Sequence, residues 1–223
     1  HNLGHVQYRN GHYEDAIKTY TKALEIGQEA CSAQMGSALE DTQHPLQVAS
    51  TLCCLGVLYF HLPEADTTKA LEFFRESLNM RKSVLSVNAE TKEIATIINN
   101  MGRVHYMMGE HDRALDLYSQ ALRMRRRLFG NDHLDVAATI YNAGQTMHHI
   151  ERLDEAMQLY KEFLVSAKSH LEYHHSDIAS VIKCMAQIHH ERNEVEAASQ
   201  LYKEAIKVAR AALGNPHPET ASI

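Results

Sequence analysis

Between Thr96 and Met107, apolar and polar residues alternate in the way an α-helix would sort them. At 100° per residue, Ile98, Met101, Gly102 and His105 share one arc. Thr96, Asn100, Arg103 and Met107 share the opposite arc, with Asn99 on its flank. Asparagine is a mediocre helix former and is costly to bury without a partner. The adjacent pair Asn99–Asn100 therefore predicts a helix with two working faces, one for packing and one turned to something else.

The pattern recurs. A small residue ending helix phrase "x-x-L/M-G" is followed downstream by Ala-x-x-x-Tyr-x-x-Ala. Gly4 precedes Ala16, Tyr20 and Ala23; Gly56 precedes Ala70, Phe74 and Ser77; Gly102 precedes Ala114, Tyr118 and Ala121. Gly144 precedes Ala156, Tyr160 and Phe163, and Ala186 precedes Ala198, Tyr202 and Ala205. The first positions step by 52, 46, 42 and 42 residues, with the extra length between Ala23 and Gly56 and at "HLPEADT" (61–67). Five copies of one unit are predicted, at about 1–43, 44–88, 89–130, 131–172 and 173–214, with 215–223 opening a further one.

Each unit reads as two amphipathic helices joined by a tight turn. Gly11 and Gly109 sit where a helix must end in a positive φ. Small residues let the two helices approach, and the aromatic fills the gap to the next pair. Pro45 suits a first helical turn, and Asp132 or Ser176 are candidate caps. A lone helix pair cannot bury its apolar face, so the units are expected to stack into a single all-α array, a right-handed superhelical α-solenoid. Neither end carries a polar cap, so the array reads as truncated at both ends and as part of a longer chain or larger assembly.

Composition narrows the class further. Among 223 residues, 44% are hydrophobic and 22% charged, with only 10 Gly and 4 Pro. That supplies a sizeable core and too little turn chemistry for a β-sandwich or a disordered chain. A formal net charge of -6 argues against nucleic acid as partner. The longest apolar run, "LCCLGVLYF" (52–60), is far short of the ~20 residues of a membrane span. Cys31, Cys53, Cys54 and Cys184 show no C-x-x-C spacing, and thiols scattered through helical patterns point to a reducing, cytoplasmic setting.

These offsets resemble the tetratricopeptide repeat, whose pattern is L-G-x-x-Y followed by G, A, F/Y and A. The long period and the joining phrases "LFGNDHLDVAATIYNAG" (128–144) and "LGNPHPETA" (213–221) are similar to the kinesin light chain type. There, L-G-x-x-H-P-x-x-A precedes a helix carrying asparagines. The resemblance covers residues 2 to 221, and Cys53–Cys54 and Lys183–Cys184 stand where that family often has Asn.

The resemblance implies that the first helix of each unit lines a concave groove. Asn100 then points into the groove, with Cys54, Asn142 and Cys184 at equivalent positions and Asn2 in the first unit. Arg103, His5, Val57, Gln145 and Gln187 form a second row, Tyr106, His148 and His190 a flank, and Lys183 a second cation. An asparagine amide pairs with a peptide's N–H and C=O without reading its side chains. Apolar and aromatic residues (Phe60, Val57, Tyr106, Met107, Tyr141) would supply side-chain pockets. The alternative is that Asn100 and Asn142 bond across neighbouring first helices or are solvated. A carboxylate clamp is not expected, because Ser50, Thr96, Ala138 and Ser180 stand four residues before the groove positions, with no cation among them; Arg103 and Lys183, the cations of the groove core, leave room for a modestly acidic peptide.

Other constellations are weaker. The 16 histidines include His148–His149, His174–His175, His189–His190 and the pair His170/His174, but there is no H-E-x-x-H and no zinc-finger spacing. His105 and His189 fall on the packing arc and read as hydrogen-bonded structural residues. "RMRRRLFG" (123–130) reads as a solvated helix end whose cations complement the dipole. No phosphate-binding or nucleophile motif occurs. The expected function is a non-catalytic, cofactor-free scaffold holding a short segment of a partner protein. The alternatives are an assembly subunit working through its convex face and ends, or a regulatory repeat domain of a larger signalling protein.

Overall fold

The computed structural model describes residues 2–33, 42–167 and 176–213. Regular structure among them is helical throughout, in ten elements: α1 (Asn2–Arg9), α2 (Tyr13–Ala33), α3 (Gln43–His61), α4 (Thr67–Leu85), α5 (Lys92–Met107), α6 (His111–Phe129), α7 (Leu134–His149), α8 (Leu153–Ala167), α9 (Ser176–Glu191) and α10 (Val195–Leu213). The tail 214–223, the stretch 34–41 and the histidines at 170, 174 and 175 lie outside the described residues. The long insertion after Ala23 is in part an extension of the second helix, since α2 runs on to Ala33.

Two compact units divide the chain, His1–Arg113 and Ala114–Ile223. In the first, α1 pairs with α2 and α3 with α4, while α2 packs on α3 and α4 on α5. In the second, α7 pairs with α8 and α9 with α10, while α8 packs on α9. These are the helix-turn-helix units of the sequence, and the fold is an all-α helical-repeat solenoid.

The pairing rests on the small–aromatic register. A Cβ placed on Gly56 would stand 2.7 Å from the Phe74 ring, and one on Gly144 2.8 Å from Tyr160. Both rings are buried, as are Ala70 and Ala156 one turn before them, so helix axes close to a distance that only the missing side chain permits. Core is then added by the 3.6-residue period: Leu52, Leu55 and Leu58 in the first unit, Ile140, Ile182 and Ile188 in the second, all at 1% exposure or less except Ile182 at 3%.

The turns confirm the glycine expectation and extend it. Gly11 and Gly109 have φ of 77° and 76°, and the equivalent positions of the last two units are taken by Glu151 at 61° and Asn193 at 59°. All close with the same pair of bonds. The amide of Gly109 donates to Tyr106 and that of Glu110 to His105; Glu151 donates to His148 and Arg152 to Met147.

Two expectations are corrected. The cap of α7 is His133, whose Nδ1 accepts from the Asp135 amide at 3.1 Å, in place of Asp132, and Ser176 is already helical. "RMRRRLFG" is only partly a solvated end. Arg125 is 4% exposed, with Nη1 donating to the Asp135 carbonyl at 2.7 Å and to Thr139 Oγ1 at 2.6 Å, and Arg126 pairs with Glu162. The start of α7 folds over the guanidinium, a tertiary event that helix-end reasoning does not see. Arg81, in the same place on α4, is likewise buried and donates to Ser50 Oγ at 2.7 Å.

Candidate functional site

The expected groove residues separate along the helical period of α5. Asn99 is 6% exposed and belongs to the packed interior, whereas Asn100, Arg103 and Tyr106 are half-buried at the surface. In the first unit Arg103 and Phe60 are brought together, the guanidinium carbon lying 4.6 Å from the ring centroid, a geometry suited to cation–π attraction. Phe60 meets His61 edge-on at 5.0 Å, and His61 lies 6.0 Å from Tyr8. Burial first, and the Arg103 charge second, hold His61 below the ordinary imidazole range. Met107 and Met108 are exposed beyond this strip at the end of α5. Cys54 sits deeper, its thiol in contact with the Tyr20 hydroxyl and pushed up by burial.

In the second unit, Tyr141 and Asn142 border an open cavity of about 370 Å³. It lies between the N-terminal halves of α7 and α9, lined by Leu134, Asp135, Ala137, Ala138, Tyr141, Asn142, Phe163, Asp177 and Ser180. The Tyr141 ring packs 6.0 Å from Phe163 and 6.3 Å from Tyr160, and its hydroxyl accepts from Gln145 Nε2 at 2.9 Å. Burial, with the neighbouring Cys184 thiol next, raises the Tyr141 phenol well above its ordinary value, so it stays protonated. Lys183 and Gln187 are half-buried further along α9, outside the cavity lining. Cys184 lies against Tyr160 and Tyr141 and is pushed up by burial.

Sequence reasoning missed Asp135, Asp177, Ser180 and Phe163 as parts of this cavity. Two signals were available. Asp135 and Asp177 are separated by the 42-residue period, and Phe163 replaces the Ala or Ser that other units carry at that position.

The histidines act within the fold. His105 Nδ1 lies 2.5 Å from Glu110 Oε2 across the turn, and His189 pairs with Glu194 at the equivalent turn. His148 places Nε2 2.9 Å from Glu191 Oε1. Among the described residues, no group of three or more His, Cys, Asp or Glu is placed to hold a metal, and no helix is long and apolar enough to cross a membrane.

Stacked helix pairs with a half-buried polar row on the first helices define a helical-repeat scaffold for protein interaction. Tetratricopeptide repeat family models match residues 93–164, 179–219 and 1–29, together more than half of the sequence. The chain belongs to the tetratricopeptide repeat family. No curated protein sequence matches it. Among solved structures it is similar to BtubC (BKLC) from P. vanneervenii, at 20% identity and a TM-score of 0.76, over 97% of this chain and 80% of that one. It is similar also to the nearly identical TPR-like repeats of a putative kinesin light chain from Podosopora anserina, at 13% identity and TM-score 0.68, over 94% and 93%. A third is the Rap conjugation gene regulator of the plasmid pLS20, in complex with the Phr* peptide, at 19% identity and TM-score 0.65. The match covers 93% of this chain and 51% of the Rap chain. At these identities the likeness is one of fold.

Proposed function

We propose that the chain is a non-catalytic module that holds a short extended segment of a partner protein on the first-helix face of its units, in the manner of the cargo-binding region of kinesin light chains. The observation that carries this reading is the cavity of about 370 Å³ bordered by Tyr141 and Asn142. An aromatic wall and a carboxamide stand side by side at a size suited to a side chain and its backbone. Asn142 would pair with backbone groups of the segment, and Tyr141 would cover a side chain. In the first unit, Asn100 and the Arg103–Phe60 pair would do the same work. The Rap regulator, solved with a peptide, lends the reading support as a protein of similar fold.

The test is to select binders from a random peptide library displayed on phage and measure their affinity for variants. Asn142→Ala is expected to weaken a selected peptide by about 1 kcal/mol, roughly fivefold, for one lost hydrogen bond. Tyr141→Ala is expected to weaken it further. If both variants bind as the parent does, while remaining folded, the first-helix reading is wrong.

A further inference from the structure

The cavity of the second unit has a chemistry of its own. It exists because Ala137, Ala138 and Ser180 are too small to fill the space between α7 and α9. Tyr141, Phe163 and Leu134 give it apolar walls, and Asp135 and Asp177 also line it. The two acids are equivalent residues of successive units, each in the first turn of its helix. Asp177 is exposed and Asp135 half-buried. The Tyr141 phenol is raised first by burial and by Cys184, and to a lesser extent by the charge of Asp177, which lines the same cavity. On the far side of Asp135, Arg125 is bound to its carbonyl at 2.7 Å, and His133 Nδ1 lies 3.7 Å from its Oδ2. The Arg125 guanidinium offsets part of the Asp135 charge.

First-turn acids also stabilise a helix through its dipole, which would account for either carboxylate alone. It does not account for two of them lining one open space with aromatic walls. A long side chain with an apolar stem and a cationic head matches both features, because lysine and arginine lay methylenes on apolar surface while the head seeks charge. An acidic segment would meet like charge here.

We propose that this cavity takes one lysine or arginine side chain of the partner's segment, its stem against Tyr141 and Phe163 and its head between Asp177 and Asp135. This rests on the reading above, and names the chemistry that the second unit selects.

The probe is a random heptapeptide phage library panned against the full chain, followed by affinity measurement with synthetic peptides. Lys or Arg is expected at one fixed position of the selected peptides. Replacing that residue by norleucine, which keeps the stem and removes the charge, is expected to lower affinity about tenfold. Asp177→Asn is expected to cause a similar loss, and norleucine should then add little to it. Asp177→Lys should turn the library preference towards Glu at the same position. Selected peptides without a cationic preference overturn the cavity assignment while leaving the first-helix reading standing. So does a preference that Asp177→Asn and Asp135→Asn leave unchanged. A library that yields no binder overturns both. Because the norleucine comparison is made on the unaltered protein, it decides the matter even if a variant fails to fold.

Discussion

Gly144 to Ala is a small change with an informative sign. In an ordinary helix interior it stabilises by about 1 kcal/mol, because alanine has the higher helix propensity. Here the new Cβ would stand 2.8 Å from Cε1 and 3.1 Å from Cδ1 of Tyr160, where carbon contacts normally settle at ~3.5–4.0 Å. Tyr160 is 0% exposed and wedged near Tyr141 at 6.3 Å and His148 at 6.5 Å, so the ring cannot swing into water. Relief must come from α7 moving off α8, an overpacking cost of typically ~1–3 kcal/mol. At about 2 kcal/mol, the net after the propensity gain is a loss near 1 kcal/mol. For a chain of this size that lowers the melting temperature by ~2–4 °C. Circular dichroism melts of the two proteins read this directly. In a Tyr160→Leu background the obstacle is gone, and Gly144→Ala should raise the melting temperature instead. A rise in the unaltered background would refute the close-approach account of the helix pair, and with it the placement of Tyr141 and Asn142.

Three other outcomes follow from the same structure. Arg125→Ala should cost about 3 kcal/mol, since two bonds from a buried guanidinium are lost, whereas Arg123→Ala, exposed in the same cluster, should stay within ~0.5 kcal/mol; urea unfolding midpoints compare them. Glu110 is held below its ordinary 4.5, first by the hydrogen bond from His105 and then by Arg113, and Asp66 below 3.8, first by the Lys69 amide. Their folded values lie under their unfolded ones, so their contribution is full above the ordinary carboxylate range and is lost as pH falls through the lowered values. The combined Glu110→Gln, Asp66→Asn variant should lose stability less steeply on acidification than the parent, and an unchanged slope would contradict the assignment. Burial pushes the Cys53 thiol up to about 12, so it should react with iodoacetamide far more slowly than an unfolded-state cysteine at neutral pH, as mass spectrometry of timed samples would record.

The repeat was legible because its determinants are local. Helix period, a small residue and an aromatic at fixed offsets decide how two adjacent helices meet, and Gly56–Phe74 and Gly144–Tyr160 meet as their spacing implies. The turn was legible where glycine marks it and not where Glu151 and Asn193 take the same positive φ, since closing bonds and packing can hold a side chain there. Asn99 and Asn100 show the limit of a wheel: one residue's rotation separates a buried amide from a half-buried one. The cavity was least legible. It is made by atoms that are absent at Ala137, Ala138 and Ser180, and by contributions from three helices. Arg125 escaped for a related reason, because its burial depends on where α7 begins.

The central claim is that partner segments lie on the first helices, and amide chemical-shift mapping tests it most directly. On titrating a library-selected peptide into the ¹⁵N-labelled chain, the largest shifts should fall on first-helix residues, among them Asn100 and Arg103 or Asn142, Gln145 and Gln187. Shifts confined to exposed second-helix positions such as Glu72, Lys161 and Lys203, with the first-helix amides unmoved, would contradict it.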